Sequence, residues 1–165
     1  MTDTSLSTIY REYIDCLNRQ DWAELEQFVH DEVHYNGEPI GLSGYREMLE
    51  RDFREIPDLH FDIHLLICEP PHVASRLRFD CTPKGSFLGL EVNGRKVSFS
   101  ENVFYEFDER KIKAAWSKID KAAIEAQLQR RGVAAILHMV DQVLPRRGDT
   151  LLGISAGLRQ TERDP

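Results

Sequence analysis

Two acids stand among apolar neighbours, and proton transfer is the chemistry open to them. Glu101 lies in the strand-like run Val97 to Phe107, sharing one face with Val97, Phe99, Val103, Tyr105 and Phe107. Asp120 closes the run Ile112 to Asp120, four residues after Trp116 on the same predicted face. Residues at that spacing are about 13 Å apart along a strand, which lets Trp116 wall a cavity with Asp120 at its rim. Each acid taken alone is equally a structural ion-pair partner. Asp120, just before a helix-like run from Lys121, is also placed to act as an N-cap.

Other chemistries find less support. Gly153-Ile154-Ser155-Ala156-Gly157 fits a nucleophile elbow, but only eight residues follow Gly157 and none is His. His30 and His34 have the i, i+4 spacing of a metal-binding helix, with the Glu in the wrong slot and no third ligand nearby. His60 and His64, with Asp62 between them, read as the polar face of a half-buried strand. No glycine pattern for a dinucleotide or a nucleotide phosphate is present, so no cofactor is expected. The three cysteines, Cys16, Cys68 and Cys81, form no C-x-x-C pair and read as small buried hydrophobes.

The elements that must position these residues follow from periodicity. Leu6, Ile9, Tyr10, Tyr13, Ile14 and Leu17 make one helical stripe, and Trp22, Leu25, Phe28 and Val29 predict a second, short helix after Asp21. A third helix, capped by Ser43, carries Tyr45, Met48, Leu49 and Phe53 until Pro57 stops it. The period then changes to 2. Leu59, Phe61, Ile63 and Leu65 predict one strand face, and Val73 to Thr82 a second strand with Arg76, Arg78 and Asp80 turned away from the core. Val97 to Phe107 and Ile112 to Asp120 come next, joined by a hairpin at Asp108-Glu109-Arg110. Lys121 to Gln129 and Val133 to Leu144 predict two further helices. Three helices ahead of mostly antiparallel strands define an α+β fold in which helices cover a curved sheet and enclose a pocket.

Residues 1–129 are expected to form the domain, with 130–165 as a partly helical C-terminal extension. The extension carries six Arg against four acids, which leaves the first 129 residues at −9 within a net charge of 21 − 28 = −7. That acidity argues against nucleic acid or an anionic membrane as partner. No leader-like segment opens the chain and no apolar run is long enough to span a bilayer, so a cytoplasmic location is expected.

Over roughly Ile9 to Leu128 the chain resembles the SnoaL-like polyketide or ester cyclases, within the superfamily that shares the nuclear transport factor 2 (NTF2-like) cone. The resemblance is carried by Leu17-Asn18-Arg19-Gln20-Asp21-Trp22, His30-Asp31-Glu32-Val33, Gly41-Leu42-Ser43-Gly44-Tyr45 and Ile56-Pro57-Asp58-Leu59-His60-Phe61. Further on come Gly85-Ser86-Phe87-Leu88-Gly89, Asn93-Gly94-Arg95, Lys111-Ile112, Trp116-Ser117-Lys118-Ile119-Asp120 and Ala126-Gln127-Leu128. It implies a cone-shaped α+β barrel, a homodimer and a small hydrophobic carbonyl or ester ligand. It also implies ring closure of an ester by an intramolecular aldol reaction, without metal or organic cofactor, using a pocket Asp that corresponds to Asp120. A carboxylate in an apolar pocket has its pKa raised toward the range useful for taking an α-proton and returning it to the aldol alkoxide. Tyr35, Trp22, Arg76, Glu101, Asn102, Phe104 and Trp116 are candidates to line the cavity.

Two departures qualify this. Cys81-Thr82-Pro83 stands where many relatives have Gly-Thr-His, leaving any role of that His vacant. Lys118 falls two residues before Asp120, so it is either an electrophile beside the base or turned to solvent by a bulge. The alternative to a cyclase or related isomerase is a non-catalytic small-molecule binding or dimerisation module on the same cone, and hydrolysis with Asp120 activating water is a third reading.

Overall fold

A computed structural model describes residues 5–143. Helix α1 (Leu6–Arg19) starts on a Ser5 cap, whose side chain accepts from the Thr8 amide, and ends on Gln20 in the left-handed conformation. Its stripe of Ile9, Tyr10, Tyr13, Ile14 and Leu17 is buried as the periodicity predicts. The expected second helix is a single 3-10 turn, Leu25–Gln27, because the chain is already extended by β1 (Val29–Tyr35). Asn36 and Gly37, both at positive φ, turn the chain into β2 (Glu38–Pro39). Helix α2 (Gly41–Glu55) comes next; its N-cap is Ile40, three residues before the expected cap Ser43, with no side-chain cap bond.

The sheet order is β2-β1-β8-β7-β4-β3, with β3 Asp62–Glu69, β4 His72–Cys81, β7 Val97–Asp108 and β8 Lys111–Ile119. Its pairs are antiparallel except β1 with β8, which is parallel. A separate hairpin, β5 (Ser86–Phe87) with β6 (Leu90–Glu91), turns through Leu88 and Gly89, both at positive φ. This is an α+β architecture of helices on a six-stranded, mostly antiparallel sheet with a C-terminal helix, as expected.

Two bulges decide which side chains face inward. Between β7 and β8 the register steps from Glu106↔Ala114 to Phe107↔Ile112, so Lys113 is an extra residue on β8. Because strand side chains alternate, one extra residue reverses the faces beyond it. Ala115, Ser117 and Ile119 therefore turn inward, and Trp116 and Lys118 turn out, correcting the expectation that they continue the face of Ile112. Likewise His64 is extra on β3, between Ile63↔Leu77 and Leu65↔Arg76, so Leu65 is turned out rather than sharing the face of Ile63.

Beyond the sheet, one continuous helix α3 (Lys121–Val143) replaces the two predicted helices. The chain divides between Leu128 and Gln129 into two units. Residues 144–165, with the expected helix end at Leu144 and the Gly153 to Gly157 motif, lie outside the described residues. None of the helices described is long and apolar enough to cross a membrane.

Candidate active site

The first unit holds a partly open cavity of about 230 Å³ between the inner face of the sheet, α1, α2 and the β5–β6 hairpin. Each wall has a local reason for its position. Asn18 on α1 pins the segment before β3 by a reciprocal pair, its amide donating to the Phe61 carbonyl (3.0 Å) and its oxygen accepting from the Phe61 amide (2.8 Å). Asp58 accepts from the Thr82 amide (2.7 Å) and hydroxyl (2.9 Å), and the Lys84 amide donates to the Glu55 carbonyl (3.0 Å). Those bonds tie the loop that leads into the hairpin to the end of α2. Phe87 then packs on Phe99, Phe99 stacks on Phe79 and Phe79 meets Phe61 edge-on, with centroids 5.2 to 5.5 Å apart.

At this phenylalanine wall the lining is apolar, and along β7 it turns polar. Glu101, two residues on from Phe99 and thus about 7 Å along the strand, points into the cavity and accepts a hydrogen bond from the Ser117 hydroxyl across the β7–β8 pair. Asn36 fixes Ser117 in turn, accepting from its backbone amide at 2.8 Å. Tyr13, Tyr35, Tyr45 and Tyr105 also line the space, and the Tyr13 and Tyr45 hydroxyls share a buried hydrogen bond of 2.7 Å. A second carboxyl, Asp52 on α2, lines the cavity with its neighbour Arg51, which is exposed.

These surroundings act on the carboxyls through desolvation. Burial pushes Asp52 up to about 6, opposed by the charge of Arg51. Burial also raises Glu101, with the Ser117 hydroxyl pulling the other way and Asp52 adding to the rise. The Tyr35 hydroxyl is raised by burial and lowered by Ser117, and Tyr45 is raised, again by burial. A cavity with carboxyls raised above their ordinary range and phenols held protonated can move a proton and donate to a developing oxyanion.

Of the nine residues singled out in the sequence, the cavity gathers Tyr35 and Glu101. Asp120 is exposed, and its Oδ1 accepts from the Ala123 amide at 3.1 Å, the N-cap geometry at the start of α3. Trp116, Lys118, Arg76, Asn102 and Phe104 lie on the outer face of the sheet, and Trp22 packs edge-on against Phe53 away from the cavity. Of the two positions open to Lys118, solvent is the one it takes, through the bulge at Lys113. Asp52, Tyr13, Tyr45 and Tyr105 had not been singled out. Asp52 carried a signal, since it falls four residues after Met48 and three after Leu49, within the apolar stripe of α2.

A helix-covered, cone-shaped sheet around an apolar cavity defines the class as NTF2-like. Within it the chain belongs to the SnoaL-like polyketide cyclase family, whose model matches residues 7–128. A SnoaL-like polyketide cyclase from Agrobacterium tumefaciens is 53% identical, with a TM-score of 0.75, covering 75% of this chain and 98% of that one. TsrD from Streptomyces laurentii (21% identity, TM-score 0.67, 78% and 97% covered) and IdmH from Streptomyces antibioticus (17%, 0.66, 75% and 98%) share the fold. None of the curated proteins matches the chain.

Proposed function

We propose that the protein is a cyclase-like enzyme that moves a proton next to a carbonyl in the cone cavity, using Asp52 and Glu101, and closes or isomerises a small hydrophobic ester. The observation that supports this reading is the pair of carboxyls set into an aromatic cavity that also carries tyrosine hydroxyls. Asp52, ionised above about pH 6, takes the α-proton. Glu101 is the more deeply set, and burial and the charge on Asp52 raise its pKa and so favour its acid form; in this scheme it donates to the carbonyl oxygen as the enolate forms. Tyr35 or Tyr45 supplies a second donor. The enolate carbon then attacks a carbonyl in the same molecule, and the proton on Asp52 passes to the new alkoxide. Asp120, as the cap of α3, is outside this scheme.

The test is exchange of α-protons into deuterated water for β-ketoesters and aryl acetate esters, followed by NMR. Asp52→Asn and Glu101→Gln should each slow exchange by about 10²-fold or more. Binding of the same esters with no exchange by the wild-type protein would favour the non-catalytic binding module.

We also propose a homodimer through the outer sheet face. Ile67, Ala74, Phe104 and Trp116 are register partners in one row across β3, β4, β7 and β8, and Ile67, Phe104 and Trp116 are 56%, 60% and 42% exposed. The next row on one side holds Arg76 and Lys118, and on the other Glu69 and Glu106. A two-fold axis along the apolar row sets like on like in that row and brings Arg76 and Lys118 of one copy beside the acids of the other.

A further inference from the structure

We infer that the occupant of the cavity is an uncharged compound built on a single ring, with its carbonyl one or two atoms from that ring. The inference rests on the reading of this cavity as the reacting site, and three observations carry it.

The first is size. A cavity of about 150 Å³ lined by apolar side chains holds benzene, and sites for drug-sized ligands begin near 300 Å³. At about 230 Å³, and open to solvent on part of its boundary, this one takes a benzene-sized ring with a short substituent, and three fused rings would extend out of it. The second is the gradient along β7. Phe61, Phe79, Phe87 and Phe99 form a contiguous aromatic wall, and the next inward residue after Phe99 is Glu101. A ring seated on that wall places a carbonyl beside Glu101 only if the link between them is about one or two atoms, given the roughly 7 Å step between alternate residues of a strand. With a one-atom link the acidic C–H lies between ring and carbonyl, where both stabilise the carbanion; with two atoms the carbonyl alone does. The third is charge. The ionisable groups lining the cavity are two carboxyls, four tyrosines and the exposed Arg51, so a carboxylate ligand drawn inside meets like charge in poorly solvated surroundings.

The experiment is an NMR titration of the full chain at pH 8, following the amides of residues 86–89 and 99–103, with three probes: methyl phenylacetate, phenylacetate, and the methyl ester of anthracene-9-acetic acid. The expected result is saturable binding of methyl phenylacetate at least tenfold tighter than phenylacetate, with no saturable binding of the anthracene ester. Asp52→Asn, which carries the same shape without the charge, should narrow the gap between ester and anion by at least threefold, whereas Glu101→Gln, which replaces an uncharged acid, should leave that gap within twofold. Equal binding of the anion, binding of the three-ring ester as tight as that of the one-ring ester, or no saturable binding of any probe overturns the inference. Binding as expected with no α-proton exchange would sink the enzymatic reading and leave the occupant assigned. Exchange seen only with fused-ring esters would do the reverse.

Discussion

Glu101 and Asp52 sit where ionisation is costly, and that cost is measurable. In the folded chain Asp52 titrates near 6, above its ordinary 3.8, so its proton is held more tightly folded than unfolded. The folded state is therefore favoured at low pH, and this contribution is lost as pH rises from about 4 to about 6. Asp52→Asn removes the penalty: thermal melts should show the variant more stable than wild type at pH 8, on the order of 2 kcal/mol, with the difference shrinking toward pH 4. A variant less stable than wild type at pH 8 would mean that the carboxylate has a stabilising partner. Ser117 tunes the other acid. Its hydroxyl favours ionised Glu101, so Ser117→Ala should raise the Glu101 pKa further. With Glu101 as the proton donor, the alkaline fall of the rate against pH should move to higher pH in that variant, while the acidic limb, set by Asp52 near 6, stays in place. A shift of the acidic limb alone would assign the roles the other way round.

At the scale of elements, the strands were legible in the sequence where alternation is unbroken. Val73, Ser75, Leu77, Phe79 and Cys81 face inward as their spacing predicts, and Glu101 lies on the inner face of β7 for the same reason. What spacing could not carry is the pair of bulges. Lys113 and His64 are ordinary polar residues in polar slots, with no glycine to mark them, yet each reverses the faces of the strand residues beyond it. That reversal, rather than the type of any residue, moves Trp116 and Lys118 off the cavity, while Asp120 goes to the cap. The sequence did offer the cap as a reading of Asp120, and the geometry agrees with it. Asp120→Ala should accordingly cost about 1 kcal/mol of stability in a denaturant melt and leave exchange within twofold of wild type. The short helix expected after Asp21 shrank to one turn because Val29, counted in its apolar stripe, begins a strand instead.

For the whole molecule, the inner and outer faces of one sheet divide two tasks. Inward side chains build the cavity, and outward ones leave an apolar row with cations on one flank and acids on the other. Light scattering on a sizing column should give twice the chain mass for the wild type. Phe104→Glu, which places a charge at the centre of the row, should give the monomer without loss of helical signal. Reversing the flanks tests the axis: Arg76→Glu should weaken the dimer, and combining it with Glu69→Arg and Glu106→Arg should restore it. A wild-type monomer at micromolar concentration would rule the assembly out.

The most direct measurement of the central claim compares α-proton exchange by wild type, Asp52→Asn, Glu101→Gln and Asp120→Asn on one ester, at one pH, in deuterated water. Exchange that survives in Asp120→Asn and falls by about 10²-fold or more in the two cavity variants is the predicted result. Exchange lost in Asp120→Asn and kept in both cavity variants would contradict it, and would return the chemistry to the strand end where the family resemblance first put it.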